Sequence, residues 1–138
     1  MPHRRSDSEW EQLRNAGYQF LLEQAKMGVD TSYTEMNASL AHRTGLRPFD
    51  FDWEVERAAM GRLLGEITLL HRAQTQSTMM ISSLVRYLNE NDPGPGFFRL
   101  AVELGHLPAR ASEPDRTGFW GQKVKEVFTF YERTGAVT

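Results

Sequence analysis

Three stretches of this sequence carry apolar residues at the spacing of an α-helix, and this pattern constrains the fold more than any other feature. In the best defined stretch, 53–73, the apolar positions recur every three or four residues, at Val55, Ala59, Leu63, Ile67 and Leu70. Residues 8–28 and 117–133 repeat the pattern, and shorter helices are predicted over 33–43 and from Pro95 to Gly105. We therefore expect a mostly α-helical domain in which the three apolar stripes share one core.

Capping residues predict where several of these helices begin and end. Ser8 stands three residues before Glu11, and Ser32 stands three residues before Glu35, which is the spacing of a capping box. Asp52 is the predicted N-terminal cap of the third helix. A glycine follows each of the first two helices and is expected to close it in the left-handed conformation.

A small β element is predicted after the third helix. Residues 79–88 read "MMISSLVRYL", a mixture of β-branched, aromatic and apolar residues at a length typical of one strand. A short apolar run of this kind is also compatible with a helix. The polar loop 89–96 contains two Pro-Gly pairs and predicts an exposed turn. Two interpretations stay open for this turn, a hinge between core elements and a binding loop.

The length and the order of the elements indicate one domain. A chain of 138 residues fits a single domain, for which we expect a flexible tail over 1–7 and a globular part over 8–135. A helix, a short helix, a longer helix, a strand and a loop follow one another in the order of a winged-helix module. The predicted fold is therefore a winged-helix-like core with additional N-terminal and C-terminal helices.

The composition argues against several kinds of chemistry. The chain has no cysteine, which excludes disulfides, thiolate metal sites and thiol nucleophiles, and its four histidines lie in separate segments without ligand spacing. We expect no metal, no cofactor and no membrane span, and a cytoplasmic location without a signal peptide. A non-enzymatic role is favoured, although an enzyme of another type stays open.

One segment resembles a known DNA-binding domain. The stretch "TSYTEMNASLAHRTG" is similar to the "SY-x-x-L-A" stretch of alkylguanine-DNA alkyltransferases and alkyltransferase-like proteins, and "ERAAMGRLLGEI" resembles their "RAVG" recognition helix. The similarity runs from residue 30 to residue 97. In that family a tyrosine rotates the target nucleotide and an arginine fills the gap in the base stack. The resemblance implies these roles for Tyr33 and Arg57.

The same resemblance breaks down at the reactive centre of the family. The family's "PCHR" is missing, and Ser82, Ser83 and Leu84 stand near its place. Without a cysteine, transfer of an alkyl group to the protein is excluded. "RAAMG" is also one residue longer than "RAVG". What the resemblance implies is therefore a binding protein for double-stranded DNA, without the transfer reaction.

Six residues are candidates for a nucleic-acid-binding face, namely Tyr33, Arg43, Arg47, Arg57, Arg62 and Arg86. The charge balance tests this expectation, because phosphate binding requires several unopposed cations. Between residues 42 and 72 the sequence has five arginines and five acidic residues, so no basic stripe is present. Ordinary pairing of Arg62 with Glu66, four residues later in a helix, is the alternative for one of these arginines.

The alternative partner is another protein, or a second copy of this chain. Two pairs of adjacent aromatic residues suggest a partner surface, because one member of each pair is expected to point away from the core. The candidate partner-binding residues are Phe97, Phe98, Phe119 and Trp120. The competing interpretation is that both pairs bridge two layers of the core.

Overall fold

The computed structural model describes residues 4–135 of the chain, and the side chains of residues 4–132. Within this range the fold is mostly α-helical, as the apolar stripes predicted. Its elements in chain order are α1 (Asp7–Met27), β1 (Thr31–Ser32), α2 (Tyr33–Thr44), α3 (Glu54–Thr75), a 3₁₀ helix (Ile81–Leu84), β2 (Val85–Arg86), α4 (Pro95–Glu103) and α5 (Glu113–Gly135).

The apolar stripes of α1, α3 and α5 meet in one core, which confirms the prediction that they pack together. Leu21, Ile67 and Val127, one from each helix, are fully buried in it. The helices α1 and α3 approach closely at Gly17, where an added Cβ would lie 2.8 Å from the Ile67 Cδ1 atom. A side chain at position 17 would therefore force the Ile67 side chain to shift.

The predicted strand over 79–88 is wrong for most of its length. Residues Ile81–Leu84 form a fully buried 3₁₀ helix, and only Val85–Arg86 are in a strand. This strand pairs in parallel with β1, with Thr31 opposite Val85 and Ser32 opposite Arg86. Because β1 is only two residues long, it offers backbone hydrogen bonds to only a short part of the apolar run.

Two of the predicted N-terminal caps are corrected. Ser6 and Glu9, rather than Ser8 and Glu11, form the capping box of α1, because the same spacing occurs two residues earlier. The cap position of α3 is Trp53, which provides no side-chain cap, so Asp52 lies one residue before the cap. The Asp52 amide donates to the Asp50 carboxylate. The cap of α2 is confirmed, and the glycines after α1 and α2 adopt the left-handed conformation.

Two segments of the fold begin earlier in the chain than predicted, the N-terminal segment and α5. Arg5, predicted to be in a flexible tail, packs its side chain against α3 and donates a hydrogen bond of 2.8 Å to the Glu56 carboxylate. The helix α5 begins at Glu113 rather than at 117, because Ser112 accepts a hydrogen bond from the Asp115 amide and so caps it. Pro114 is compatible with this start, since the first turn of a helix has no partner for its amides. Residues 1–3 lie outside the described part.

A second, smaller core lies beside the first. Met80, Phe97, Ala101 and Leu107 are buried in it, and α4 and the first half of α5 supply most of the remaining side chains. Over the described range, no helix combines the length and apolar character needed to cross a membrane.

Candidate binding site

A cleft opens between α3 and α4, over the 3₁₀ helix. Its enclosed volume is about 20 Å³, which is room for about one water molecule, and the rest of it is open to solvent. On the α3 side, Gly61 and Gly65 stand four residues apart and an added Cβ at either would meet no atom within 4 Å. This side of the cleft is therefore open because two positions of the helix carry no side chain. The lining residues are Tyr33, Gly61, Leu64, Gly65, Ser82, Gly96, Phe97 and Leu100.

One polar side chain without a hydrogen-bond partner is among the lining residues of this mostly apolar cleft. Ser82 is only 4% exposed, and its Oγ atom has no hydrogen-bond partner among the described residues. The helix α4 begins beside it, with Gly94 as a cap residue that has no side chain to offer. The amides of Gly96 and Phe97 belong to the first turn, where a helix provides no carbonyl partner. Both residues line the cleft.

The rim of the cleft is aromatic. The ring of Tyr33 lies 5.3 Å from that of Tyr87 and 6.5 Å from that of Phe51, measured between centroids. The Tyr33 hydroxyl donates a hydrogen bond to the carbonyl oxygen of Pro93. Burial, together with the nearby Tyr87 and the negative charge of Asp92, raises the pKa of Tyr33, so the phenol stays protonated. Tyr33 therefore acts here as a fixed donor that holds the loop before α4.

That loop, which contains the polar turn of the sequence, is folded back on itself. The Tyr87 amide donates to the Asp92 carbonyl oxygen, and the Gly94 amide donates to the Asp92 carboxylate. Gly94 has a φ of +88°, and an added Cβ there would lie 2.9 Å from the Tyr87 hydroxyl oxygen. Residues 88–92 are exposed, as predicted for the turn, whereas Pro93 and Gly94 are buried against the two tyrosines.

Most of the candidate nucleic-acid-binding arginines are in ion pairs with acidic residues. Four of them make pairs with nitrogen–oxygen distances of 2.7–2.9 Å, namely Arg43 with Glu23, Arg47 with Glu56, Arg62 with Glu66 and Arg86 with Asp30. The fifth, Arg57, is exposed and donates to the Phe51 carbonyl oxygen at 2.6 Å. The pairing that was an alternative for Arg62 is therefore the one observed.

The four candidate partner-binding aromatic residues pack against one another instead of forming an open patch. Phe97 is buried, and its ring centroid lies 5.3 Å from that of Phe98 and 6.0 Å from that of Phe119. The indole nitrogen of Trp120 donates to the Ser83 carbonyl oxygen. These contacts fit the interpretation that the aromatic pairs join two layers of the core.

The sequence did not point to the cleft. The sequence feature that could have indicated the cleft is the pair Gly61 and Gly65 inside a strongly periodic helix. Each glycine there costs about 1 kcal/mol of helix stability relative to alanine. Ser82, which stands near the place of the family's missing "PCHR", has a hydroxyl with no hydrogen-bond partner among the described residues. The lining residues offer apolar contacts and hydrogen-bonding groups.

No group of three or more potential metal-ligating side chains occurs in the described part of the chain. Comparison of the chain with protein-family models, with curated proteins and with solved structures gives no match.

Proposed function

We propose that this chain is a non-enzymatic binding protein, with a winged-helix-like core, and that it binds another protein at the face around the cleft. Exposed apolar side chains in α3 and in the loop before α4, the elements on the two sides of the cleft, support this proposal. Tyr87, which contacts the ring of Tyr33, is 39% exposed, and the next residue, Leu88, is 52% exposed. At the start of α3, Val55 is 57% exposed. Exposed aromatic and aliphatic side chains next to a concave site are typical of protein-binding surfaces.

The ion pairs favour a protein over DNA as the partner. Binding to a phosphate backbone depends on the release of counterions by several unopposed cations. Four of the six candidate residues are arginines in ion pairs, and in two of these pairs the carboxylate is shared with a second arginine, Glu56 with Arg5 and Glu66 with Arg14. Binding to DNA at these positions requires the pairs to break, which lowers the gain from each phosphate contact. This is the observation that carries the proposal of a protein partner.

Double-stranded DNA is the second candidate partner, and one local arrangement favours it. Arg57 makes no ion pair within the described range and lies near Tyr87. Burial raises the pKa of Tyr87, and the positive charge of Arg57 opposes this rise. Tyr33 and Arg57 are also the residues that match the alkyltransferase-like pattern. A cytoplasmic location and a regulatory role belong to the same proposal, for either partner.

A capture experiment separates the two candidates. The purified protein is used to capture partners from cells that make it, with and without nuclease, at low and at high salt. A protein partner predicts capture that survives nuclease and high salt and that is lost with Tyr87→Ala but retained with Gln122→Ala on α5. Capture that disappears with nuclease, together with a steeply salt-dependent shift of duplex DNA, supports DNA instead. If neither variant changes the captured protein, the proposed face is wrong.

A further inference from the structure

The side chain of Arg5 fills a closely fitting site at the start of α3. One terminal nitrogen of its guanidinium donates to a Glu56 carboxylate oxygen at 2.8 Å, and the other donates to the second oxygen at 3.4 Å. This other nitrogen also donates to the carbonyl oxygens of Arg47, at 3.5 Å, and Pro48, at 3.4 Å. The guanidinium carbon lies 4.0 Å from the centroid of the Phe49 ring. A carboxylate, carbonyl oxygens and an aromatic face are the groups that bind a planar guanidinium.

The walls of this site are held in place by residues other than its occupant. The Glu56 carboxylate is fully buried and accepts hydrogen bonds from Arg47, at 2.7 Å, and from the Asp50 amide, at 3.2 Å. The Asn37 side chain donates to the Phe49 carbonyl oxygen and accepts from the Phe49 amide, each at 2.8 Å. The site therefore does not depend on its occupant for its shape.

The fit of Arg5 in this site is incomplete. Its side chain is only 5% exposed, and its buried Nε atom has no hydrogen-bond partner in the described part of the chain. A buried donor without a hydrogen bond destabilises the occupied state. Arg5 also stands directly before Ser6, the cap of α1, so its side chain can rotate out of the site without unwinding the helix. These two features make Arg5 an occupant that another arginine can replace.

Resting on the proposed protein-binding function, we propose that this site binds an arginine of the protein partner, which takes the place of Arg5. The exchange keeps the Glu56 carboxylate paired, since one guanidinium replaces another. It also returns the buried Nε atom of Arg5 to water, where it regains hydrogen bonds. Val55, the residue before Glu56 in α3, is 57% exposed. The partner is therefore expected to present an arginine beside an apolar side chain.

The chemistry of the site predicts its selectivity. A guanidinium is planar and has several donors, so it can contact both carboxylate oxygens while it stacks on a ring. The ammonium group of lysine is a compact point charge, and the urea group of citrulline has the shape of a guanidinium without its charge. We therefore expect both to bind less tightly than arginine, lysine for lack of shape and citrulline for lack of charge.

The first experiment empties the site in the whole chain. Arg5→Ala removes the occupant, and Arg4→Ala, at the exposed neighbouring position, is the matched control that leaves the site filled. Each variant is titrated with N-acetyl-arginine amide, N-acetyl-lysine amide and N-acetyl-citrulline amide. Binding is followed in NMR spectra by the amide chemical shifts of Phe49, Asp50 and Glu56.

For Arg5→Ala we expect saturable shifts with the arginine compound, and binding at least about tenfold weaker with the lysine and citrulline compounds. For Arg4→Ala we expect the arginine compound to bind at least about tenfold more weakly than to Arg5→Ala, because Arg5 competes with it. Equal binding of the three compounds to Arg5→Ala, or equal binding of the arginine compound to both variants, overturns the proposal.

The second experiment uses the unaltered chain, so it does not depend on the folding of a variant. The Nε–H group of Arg5 gives an NMR signal of its own, and its burial protects the proton from exchange with water. The probe is a peptide with the sequence Leu-Arg-Leu at its centre, and the control is the same peptide with citrulline in place of arginine. We expect the arginine peptide to move the Arg5 signal saturably towards that of an exposed arginine, with fast exchange, and the control to leave it unchanged. A signal that stays unchanged throughout the titration shows that Arg5 is a permanent part of the fold and overturns the exchange.

The outcomes separate this inference from the proposed function. If the arginine peptide displaces Arg5 but Tyr87→Ala retains every captured protein, only the proposed face fails. If Tyr87→Ala loses the captured protein and neither that protein nor the peptide moves the Arg5 signal, only this inference fails. A dimer of the chain that Arg5→Ala abolishes and Arg4→Ala retains assigns the site to a second copy, and overturns a partner of another kind.

Discussion

The hydroxyl of Tyr33 donates a hydrogen bond to the backbone carbonyl oxygen of Pro93, sixty residues further along the chain. Tyr33 is the first residue of α2, and Pro93 stands in the loop that leads into α4. The bond therefore fixes the start of α4 relative to α2, and with it the rim of the cleft. Tyr33 is also the residue that matches the nucleotide-rotating tyrosine of the alkyltransferase-like pattern. In this structure its hydroxyl holds the loop before α4.

Removing this hydroxyl is expected to loosen the loop more than the fold. Tyr33→Phe keeps the ring contacts with Phe51 and Tyr87 but leaves the Pro93 carbonyl oxygen without its donor. We expect a loss of about 1 kcal/mol in the free energy of unfolding, measured by urea denaturation. Hydrogen exchange is expected to accelerate at the amides of residues 87–94, and unchanged exchange there would show that the bond does not hold the loop.

Acid is expected to destabilise the protein through Glu56. This carboxylate is fully buried, which by itself raises its pKa, but hydrogen bonds from Arg5, Arg47 and the Asp50 amide outweigh burial and lower the pKa to about 2. A carboxyl whose pKa is lowered by folding stabilises the fold above its ordinary pKa of 4.5, and this stability is lost as the pH falls towards 2.

Glu56→Gln is expected to cost about 3 kcal/mol at neutral pH, because it leaves a buried arginine without its partner. Urea denaturation from pH 7 to pH 2 is the measurement, and the variant should lose less stability than the wild-type protein below pH 4.5, where His71 contributes to the loss in both proteins down to about pH 4. An equal loss in both proteins would assign it to other carboxylates.

A second effect of pH is expected from His71, at higher pH values. The imidazole is fully buried, and its Nε2 atom lies 2.6 Å from the Tyr131 hydroxyl oxygen. Burial lowers the pKa of His71 from 6.5 to about 4. The unfolded chain takes up a proton below pH 6.5 and the folded chain does not, so stability is complete above that pH and falls as the pH drops to about 4. This difference in pKa corresponds to about 3 kcal/mol.

The test of this effect compares two histidines. His71→Gln is expected to remove the decline in unfolding free energy between pH 6.5 and 4, in addition to any constant loss of stability. His42→Gln, at an exposed position of α2, is expected to keep the decline. A decline of the same size in both variants would contradict a neutral, buried His71.

Two glycines in helices are expected to respond to alanine with opposite signs. At Gly17 an added Cβ would lie 2.8 Å from the Ile67 Cδ1 atom and 3.1 Å from the Met36 Cε atom, so Gly17→Ala is expected to cost about 1–3 kcal/mol by overpacking. At Gly118 a Cβ would meet nothing within 4 Å, so Gly118→Ala is expected to add up to about 1 kcal/mol through helix propensity. Thermal unfolding of both variants is the measurement. A stabilised Gly17→Ala would show that the α1–α3 contact yields more easily than the distances imply.

The helices could be predicted from the sequence because their apolar residues repeat at helical spacing and face one core. The cap at Ser32 was also predictable, since its partner is only three residues away. The 3₁₀ helix at Ile81–Leu84 was not, because a short apolar run has no period that separates strand from helix, and its conformation depends on burial between other elements.

The charges show the same difference between local and distant partners. The pairing of Arg62 with Glu66 follows from helical spacing, whereas Arg86 with Asp30 and Arg5 with Glu56 join residues more than fifty positions apart. Local charge balance indicated that a basic stripe was missing, but it could not identify the partners. The cleft was hidden for a similar reason, because Tyr33, Gly61, Ser82 and Gly96 come together only through the fold.

Site-specific photo-crosslinking in cells tests the central claim, that another protein binds at the face around the cleft, most directly. A photoreactive phenylalanine derivative replaces Tyr87 at the rim, and the same derivative replaces Gln122 on α5 as a control. The account predicts a discrete adduct with another protein from position 87 and none from position 122. Adducts with nucleic acid from position 87, or equal protein adducts from both positions, would contradict it.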